Sequence, residues 1–134
     1  MVARAALATL AVLQRDGLQA RAAATGAVLL SGFAVLREQH DCIGSVRGVG
    51  LMLGLEMLHS RADAARRPWP EAAAAVVLAM RMRRILLSAD GMAANVIKLK
   101  PPMVFTQEDA RRVLRELADV LAHLPQHLAA YQAL

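Results

Sequence analysis

The residues able to do chemistry are few, and most are badly spaced for it. His123 and His127 stand four apart, the interval at which two imidazoles on a helix can clamp a metal, but Pro125 interrupts that helix and no glutamate follows His123. Ser31, Ser45, Ser60 and Ser88 lack an elbow motif that would expose a nucleophilic hydroxyl, and Cys42 has only His40 close in sequence. Gly48, Gly50 and Gly54 resemble a phosphate loop until their spacing is read. They form G-x-G-x-x-x-G and run into a strand-like segment, whereas a dinucleotide fingerprint is G-x-G-x-x-G between a strand and a helix. A tight hairpin with close backbone approach accounts for them better. No metal site, catalytic nucleophile or nucleotide loop is therefore expected.

The 134 residues are 57% hydrophobic and only 3% aromatic, which suits one domain with an aliphatic core and argues against stacking on nucleic-acid bases. The net charge of +5 comes from arginines scattered over separate segments. Arg111-Arg112 even share a predicted helix with Glu108, Asp109, Glu116 and Asp119, so a solvated basic surface is expected and no nucleic-acid partner. An RNA-binding G-x-x-G loop is missing from the glycine region. Cys42, the only cysteine, leaves no intrachain disulfide and fits a reducing cytoplasm. Arg4 followed by Ala5 to Leu13 faintly imitates a secretory signal, but Thr9 interrupts the run and Gln14-Arg15-Asp16 follows it. No run approaches the roughly 18 consecutive apolar residues of a membrane span, so no membrane partner is expected.

The positioning elements follow from periodicity. Strong helix formers extend from Val2 to Gln14, and Asp16-Gly17 stops them. A second helix is predicted from Leu18 to Gln39, apolar almost all round and hence largely buried, either within the chain or against a partner. Val46-Arg47 and Leu51 to Met57 predict a hairpin, and Ser60 to Pro70 a surface connection to a helix over Glu71–Arg83. Ile85 to Ser88 and Val96 to Lys100 predict two further strands of the same sheet, the second ended by Pro101-Pro102. Thr106-Gln107-Glu108-Asp109 opens a last helix with a near capping box, and Ala110, Val113, Leu114, Leu117, Ala118 and Leu121 form its buried stripe. The order implies an α+β layer, helices covering a small, mostly antiparallel sheet.

Three blocks are more particular than such a layer needs: Val46-Arg47-Gly48-Val49-Gly50-Leu51-Met52-Leu53-Gly54-Leu55-Glu56, then Ser88-Ala89-Asp90-Gly91, then Asn95-Val96-Ile97-Lys98-Leu99-Lys100-Pro101-Pro102-Met103. The chain resembles the C-terminal small domain of class III pyridoxal-phosphate-dependent aminotransferases, where a V-R-G-x-G-L-M-x-G-x-E hairpin precedes a helix, a strand, and a strand ending in a double proline. It looks closest to the branch of alanine-glyoxylate aminotransferase-like proteins and ethanolamine-phosphate phospho-lyases, whose S-x-D-G and N-V-x-K-x-K-P-P-M patterns match Ser88 to Met103. Two positions depart from the family: Arg84 stands where a glycine usually precedes the strand, and Met92-Ala93-Ala94 follows Asp90-Gly91.

The resemblance implies the small domain of the fold type I architecture over residues 1–134, part of a homodimeric transaminase or phospho-lyase acting on a small amine or amino acid. It implies pyridoxal phosphate as cofactor, held by a lysine and an aspartate of a large domain that this chain lacks, so the isolated chain is expected to be inactive. Met1 stands where the family's small-domain helix begins, as in a truncated reading frame. Lys98 and Lys100 are outside the family's cofactor-lysine context. Lys98 occupies the position where many members carry an arginine that grips the substrate carboxylate, and it offers a point charge in place of a fork. A solvated strand lysine is the other reading of Lys98, since Lys100 repeats the alternation. Arg47, Gly48 and Glu56 are expected to be structural, Arg47 pairing with a carboxylate at the hairpin. A non-enzymatic interaction module derived from this domain is the competing class.

Overall fold

Helix α1 (Val2–Arg15) ends at Asp16-Gly17, and Gly17 takes the left-handed φ of 58° that turns the chain into α2 (Leu18–Gln39). The computed structural model describes residues 2–133. Both helices have the predicted bounds within a residue, but α2 is not largely buried. Leu29, Phe33 and Leu36 enter the core while Leu30, Ala34 and Val35 stay exposed, because the sheet and the later helices cover only one side. Among the described residues, α2 is the one helix long and apolar enough to cross a membrane, a test that core helices also pass.

The hairpin forms as expected. Strand β1 (Ile43–Val49) pairs antiparallel with β2 (Met52–Met57), Val49 opposite Met52, around the two residues Gly50-Leu51. Gly50 has φ 55°, the positive value that the first position of such a short loop requires. Its turn also rests on α2: a Cβ at Gly26 would stand 2.0 Å from the Gly50 carbonyl oxygen. A mid-helix glycine, which costs about 1 kcal/mol relative to alanine, is what lets helix and turn touch.

Helix α3 (Pro70–Met82) starts on a proline and buries Ala72, Ala73, Ala75, Val76 and Ala79, small side chains that bring it close to the sheet. It ends with a double hydrogen bond: the Arg84 N–H donates to the Arg81 carbonyl at 2.9 Å and the Ile85 N–H to the Met80 carbonyl at 3.0 Å. That pattern places its left-handed residue one past the cap, where glycine is favoured. Here it is Arg84 at φ 61°, a conformation costing a side chain roughly 1–2 kcal/mol.

This helix end displaces the next strand from its predicted position. Strand β3 is Ser88–Asp90, not Ile85 to Ser88, and pairs with β4 (Val96–Leu99) from Ser88 opposite Lys98 to Asp90 opposite Val96. Ile85 is drawn into the core beside Met80, and continuing the register would set Ile85 against Pro101, which has no N–H to donate. The sheet order is β1-β2-β4-β3, antiparallel throughout. Buried Asn95 pins its centre, its Nδ2 donating to the Met57 carbonyl at 2.8 Å while the Met57 N–H returns a bond of 2.7 Å to the Asn95 carbonyl.

Helix α4 (Gln107–Ala122) carries the capping box in full: the Asp109 N–H donates to the Thr106 hydroxyl at 3.1 Å, and the Thr106 N–H to the Asp109 carboxylate at 3.0 Å. Pro125 does not simply end it. It sits in the first turn of a separate α5 (Leu124–Gln132), which packs on α3. The hydrogen bonds from the Thr106 hydroxyl and backbone hold the Asp109 carboxyl below its ordinary range. A depressed carboxyl contributes stability above its unfolded pKa of about 3.9 and loses it as pH falls through the lower folded value. Asp109→Asn should therefore melt earlier than the parent at pH 7, and melts taken down to strong acid should show the two curves converging.

Candidate functional site

Residues directly opposite one another in an antiparallel ladder point to the same face. The register sets Arg47 opposite Gly54, Gly54 opposite Lys98, and Lys98 opposite Ser88, so a single row crosses all four strands. Leu55, Ile97 and Leu99 point the other way, into the core beneath α2, α3 and α4. The row therefore lies on the face that no helix covers. Strands are spaced about 4.8 Å apart, so Arg47 and Lys98 rise about 10 Å from each other across a glycine that places nothing between them.

The result is a groove of about 680 Å³, with Arg47 on one wall, Lys98 and Asp90 on the other, and Val49, Met52 and Val96 as its apolar part. The Lys98 ammonium donates to the Asp90 carboxylate at 2.6 Å, and the Gly91 N–H reaches the other Asp90 oxygen at 2.8 Å. The hydrogen bond from Lys98, and then that from Gly91, holds the Asp90 carboxyl below the usual carboxylate range. Arg47 donates to the Ser45 hydroxyl at 2.6 Å and has no carboxylate partner among the described residues. The expected pairing at the hairpin goes elsewhere: Glu56 takes Arg66 from the following loop, at 2.8 Å. Gly48, with φ 154° and no space for a Cβ beside the Met52 carbonyl, is structural as expected.

Two cations facing each other over a bare floor, one of them already bridged to a carboxylate, can hold an anion. They do not suit covalent attachment of a carbonyl cofactor. Such a lysine needs an activated, desolvated amine, whereas Lys98 is ion-paired on an open face and Lys100 stands exposed at the strand end. The described residues thus contain no fitting pyridoxal phosphate site. Of the candidate residues, Lys98 was visible in the sequence from its alternation with Ile97 and Leu99. Asp90 reads there as a turn residue, and its place opposite Val96 follows only from the shifted start of β3.

The family model for aminotransferase class III matches residues 1–121. The chain belongs to the class III aminotransferase family. An alanine-glyoxylate aminotransferase 2-like protein of Drosophila melanogaster is 40% identical over 92% of this chain, and an ethanolamine-phosphate phospho-lyase homolog of Caenorhabditis elegans is 33% identical over 87%. A phospholyase from Arthrobacter, solved in complex with phosphoethanolamine, superposes with a TM-score of 0.80 at 34% identity over 87% of the chain. An amine transaminase from an uncultivated Pseudomonas species, in its PLP-bound form, gives 0.79 at 29% over 90%. The chain spans about a quarter of the length of these class III relatives, 25% of each curated protein and 27% of each solved chain. Family membership and the PLP-bound neighbour imply pyridoxal phosphate for class III proteins as whole enzymes. The α+β architecture agrees with theirs.

Proposed function

We propose that this chain is the small domain of a pyridoxal-phosphate-dependent aminotransferase or phospho-lyase, and that its open sheet face closes over a small amine or amino-acid substrate whose acidic end meets Lys98. The observation that carries the reading is the row Arg47–Gly54–Lys98, two cations flanking a gap that only glycine leaves open. A phosphate or a carboxylate would fill that gap and compete with Asp90 for Lys98. The Arthrobacter neighbour's phosphoethanolamine supports the first, the aminotransferase relatives the second. The cofactor would supply the electron sink, and the missing three quarters of the enzyme would bring its lysine and aspartate. We place the complete enzyme in the cytoplasm as a homodimer. Unpaired Cys42 supports the compartment, and the exposed apolar positions Leu7, Leu10 and Val35 of α1 and α2 support further protein packed around this domain.

The isolated chain should then bind pyridoxal phosphate only adventitiously. Incubation with excess cofactor, borohydride reduction and peptide mapping should give scattered, substoichiometric lysine labelling and no turnover. A single stoichiometric adduct accompanied by transamination would sink the reading. A non-enzymatic interaction module would show neither transamination nor phosphate elimination even in its longest natural chain.

A further inference from the structure

A second cavity, about 300 Å³, opens where the end of α3, the end of β4 and the start of α4 meet. Its walls carry Arg84, Lys100 and Arg112 against the single carboxylate of Asp109, over an apolar floor that includes Leu99 and Phe105. The acidic groups nearby are already engaged. Glu116 and Asp119 bind Arg83, Asp109 is closed into the cap with Thr106, and Arg112 donates to the Arg83 carbonyl at 3.1 Å. Arg84 and Lys100 are left with no carboxylate partner of their own among the described residues. Arg84, moreover, is held in a left-handed conformation that glycine would adopt without strain. A strained backbone that sets a cation at the rim of a cavity is the kind of outlier from which function is inferred.

We propose that this cavity is a binding site for a small phosphate monoester, the phosphate taken by Arg84 and Lys100 and its carbon body by the floor at Leu99 and Phe105. Neither cation belongs to the Arg47–Lys98 groove, and the site stands independently of the function proposed for that groove. Arginine supplies a fork and lysine a point charge, a pairing suited to a doubly charged anion. With this geometry the residue at position 84 weakens the fold and creates the site, so the two effects separate on substitution.

The test is titration calorimetry of the 134-residue chain with phenyl phosphate, inorganic phosphate and phenol, at low and high salt, with thermal melts alongside. Phenyl phosphate should saturate one site, weaken with salt, and bind more tightly than inorganic phosphate, while phenol should not bind measurably. Arg84→Gly and Lys100→Met should each lower phenyl phosphate affinity about tenfold or more. Arg84→Gly should at the same time raise the melting temperature, so its loss of affinity cannot come from unfolding. Unchanged affinity in Arg84→Gly would overturn the proposal. So would loss of binding in Lys98→Met with Arg84→Gly unaffected, which would place the anion in the sheet-face groove. Equal binding of inorganic and phenyl phosphate would remove the role of the floor and with it the monoester.

Discussion

Lys98→Met in the complete enzyme should lower kcat/KM by roughly ten- to a hundredfold while the melting temperature barely moves. A hydrogen bond to a charged group contributes about 1.5–3 kcal/mol, and each 1.36 kcal/mol is about tenfold in rate. Methionine keeps the unbranched stem that lies along the sheet and removes only the charge. Folding should survive because the Lys98–Asp90 pair is open to water, Lys98 being 37% and Asp90 56% exposed, and exposed pairs contribute little to stability. The stranded Asp90 carboxylate can simply be hydrated. Lys98→Arg should retain more activity on a carboxylate substrate, which accepts a two-pronged donor. Asp90→Asn provides a sign that a merely structural lysine would not give. If Asp90 competes with the substrate for the ammonium, removing its charge should lower KM. Steady-state kinetics of the three variants settle the matter, and full kcat/KM in Lys98→Met would return Lys98 to the status of a surface lysine.

Gly26→Ala should destabilise the chain by about 2 kcal/mol, although alanine is the better helix former by about 1 kcal/mol. The added methyl would lie 2.0 Å from the Gly50 oxygen, 2.4 Å from its carbonyl carbon and 2.8 Å from its Cα. All three are backbone atoms, so no side chain can rotate away and the turn itself must move. Overpacking of this kind costs about 1–3 kcal/mol, and a collision with backbone belongs at the upper end, which outweighs the gain in propensity. For a chain of this size the melting temperature should fall by roughly 5–10 °C. Ala27→Gly, one position along on the exposed side, isolates the propensity contribution. A higher melting temperature in Gly26→Ala would show that α2 and the turn do not touch.

Wherever a chain feature acts locally, the sequence was a sufficient guide. Asp16-Gly17, Pro70 and the Thr106–Asp109 box each satisfy or terminate a helix within one turn, and α1 ends and α2, α3 and α4 begin where those residues dictate. The hairpin was legible for the same reason, because Gly50 acts on its own loop. Features that depend on a distant partner were not. The start of β3 is decided by Pro101, sixteen residues beyond Ile85 in the chain, and by an arginine accepting a conformation usually left to glycine. The open half of α2 follows from how many neighbours reach it, which periodicity does not report. At the site, the face of Lys98 was readable from strand alternation, but the opposition of Arg47 to Gly54 required the register of the pairing, and the diversion of Glu56 to Arg66 required the path of a loop. The separate α5 was hidden by Pro125, since a proline that breaks one helix also suits the first turn of another.

Helix α1 buries none of its side chains and packs only on α2, leaving Val2, Leu7 and Leu10 in water. A 14-residue helix without tertiary support is marginal, since helices below about 12–15 residues are only partly formed on their own. In the chain alone its amide hydrogens should exchange with solvent far faster than those of β2 or α3, whose opening requires the core to come apart. Any protein surface that covers α1 will slow that exchange. The amides of this one helix therefore form a built-in gauge, and their protection factors report how firmly the domain is docked to whatever surrounds it.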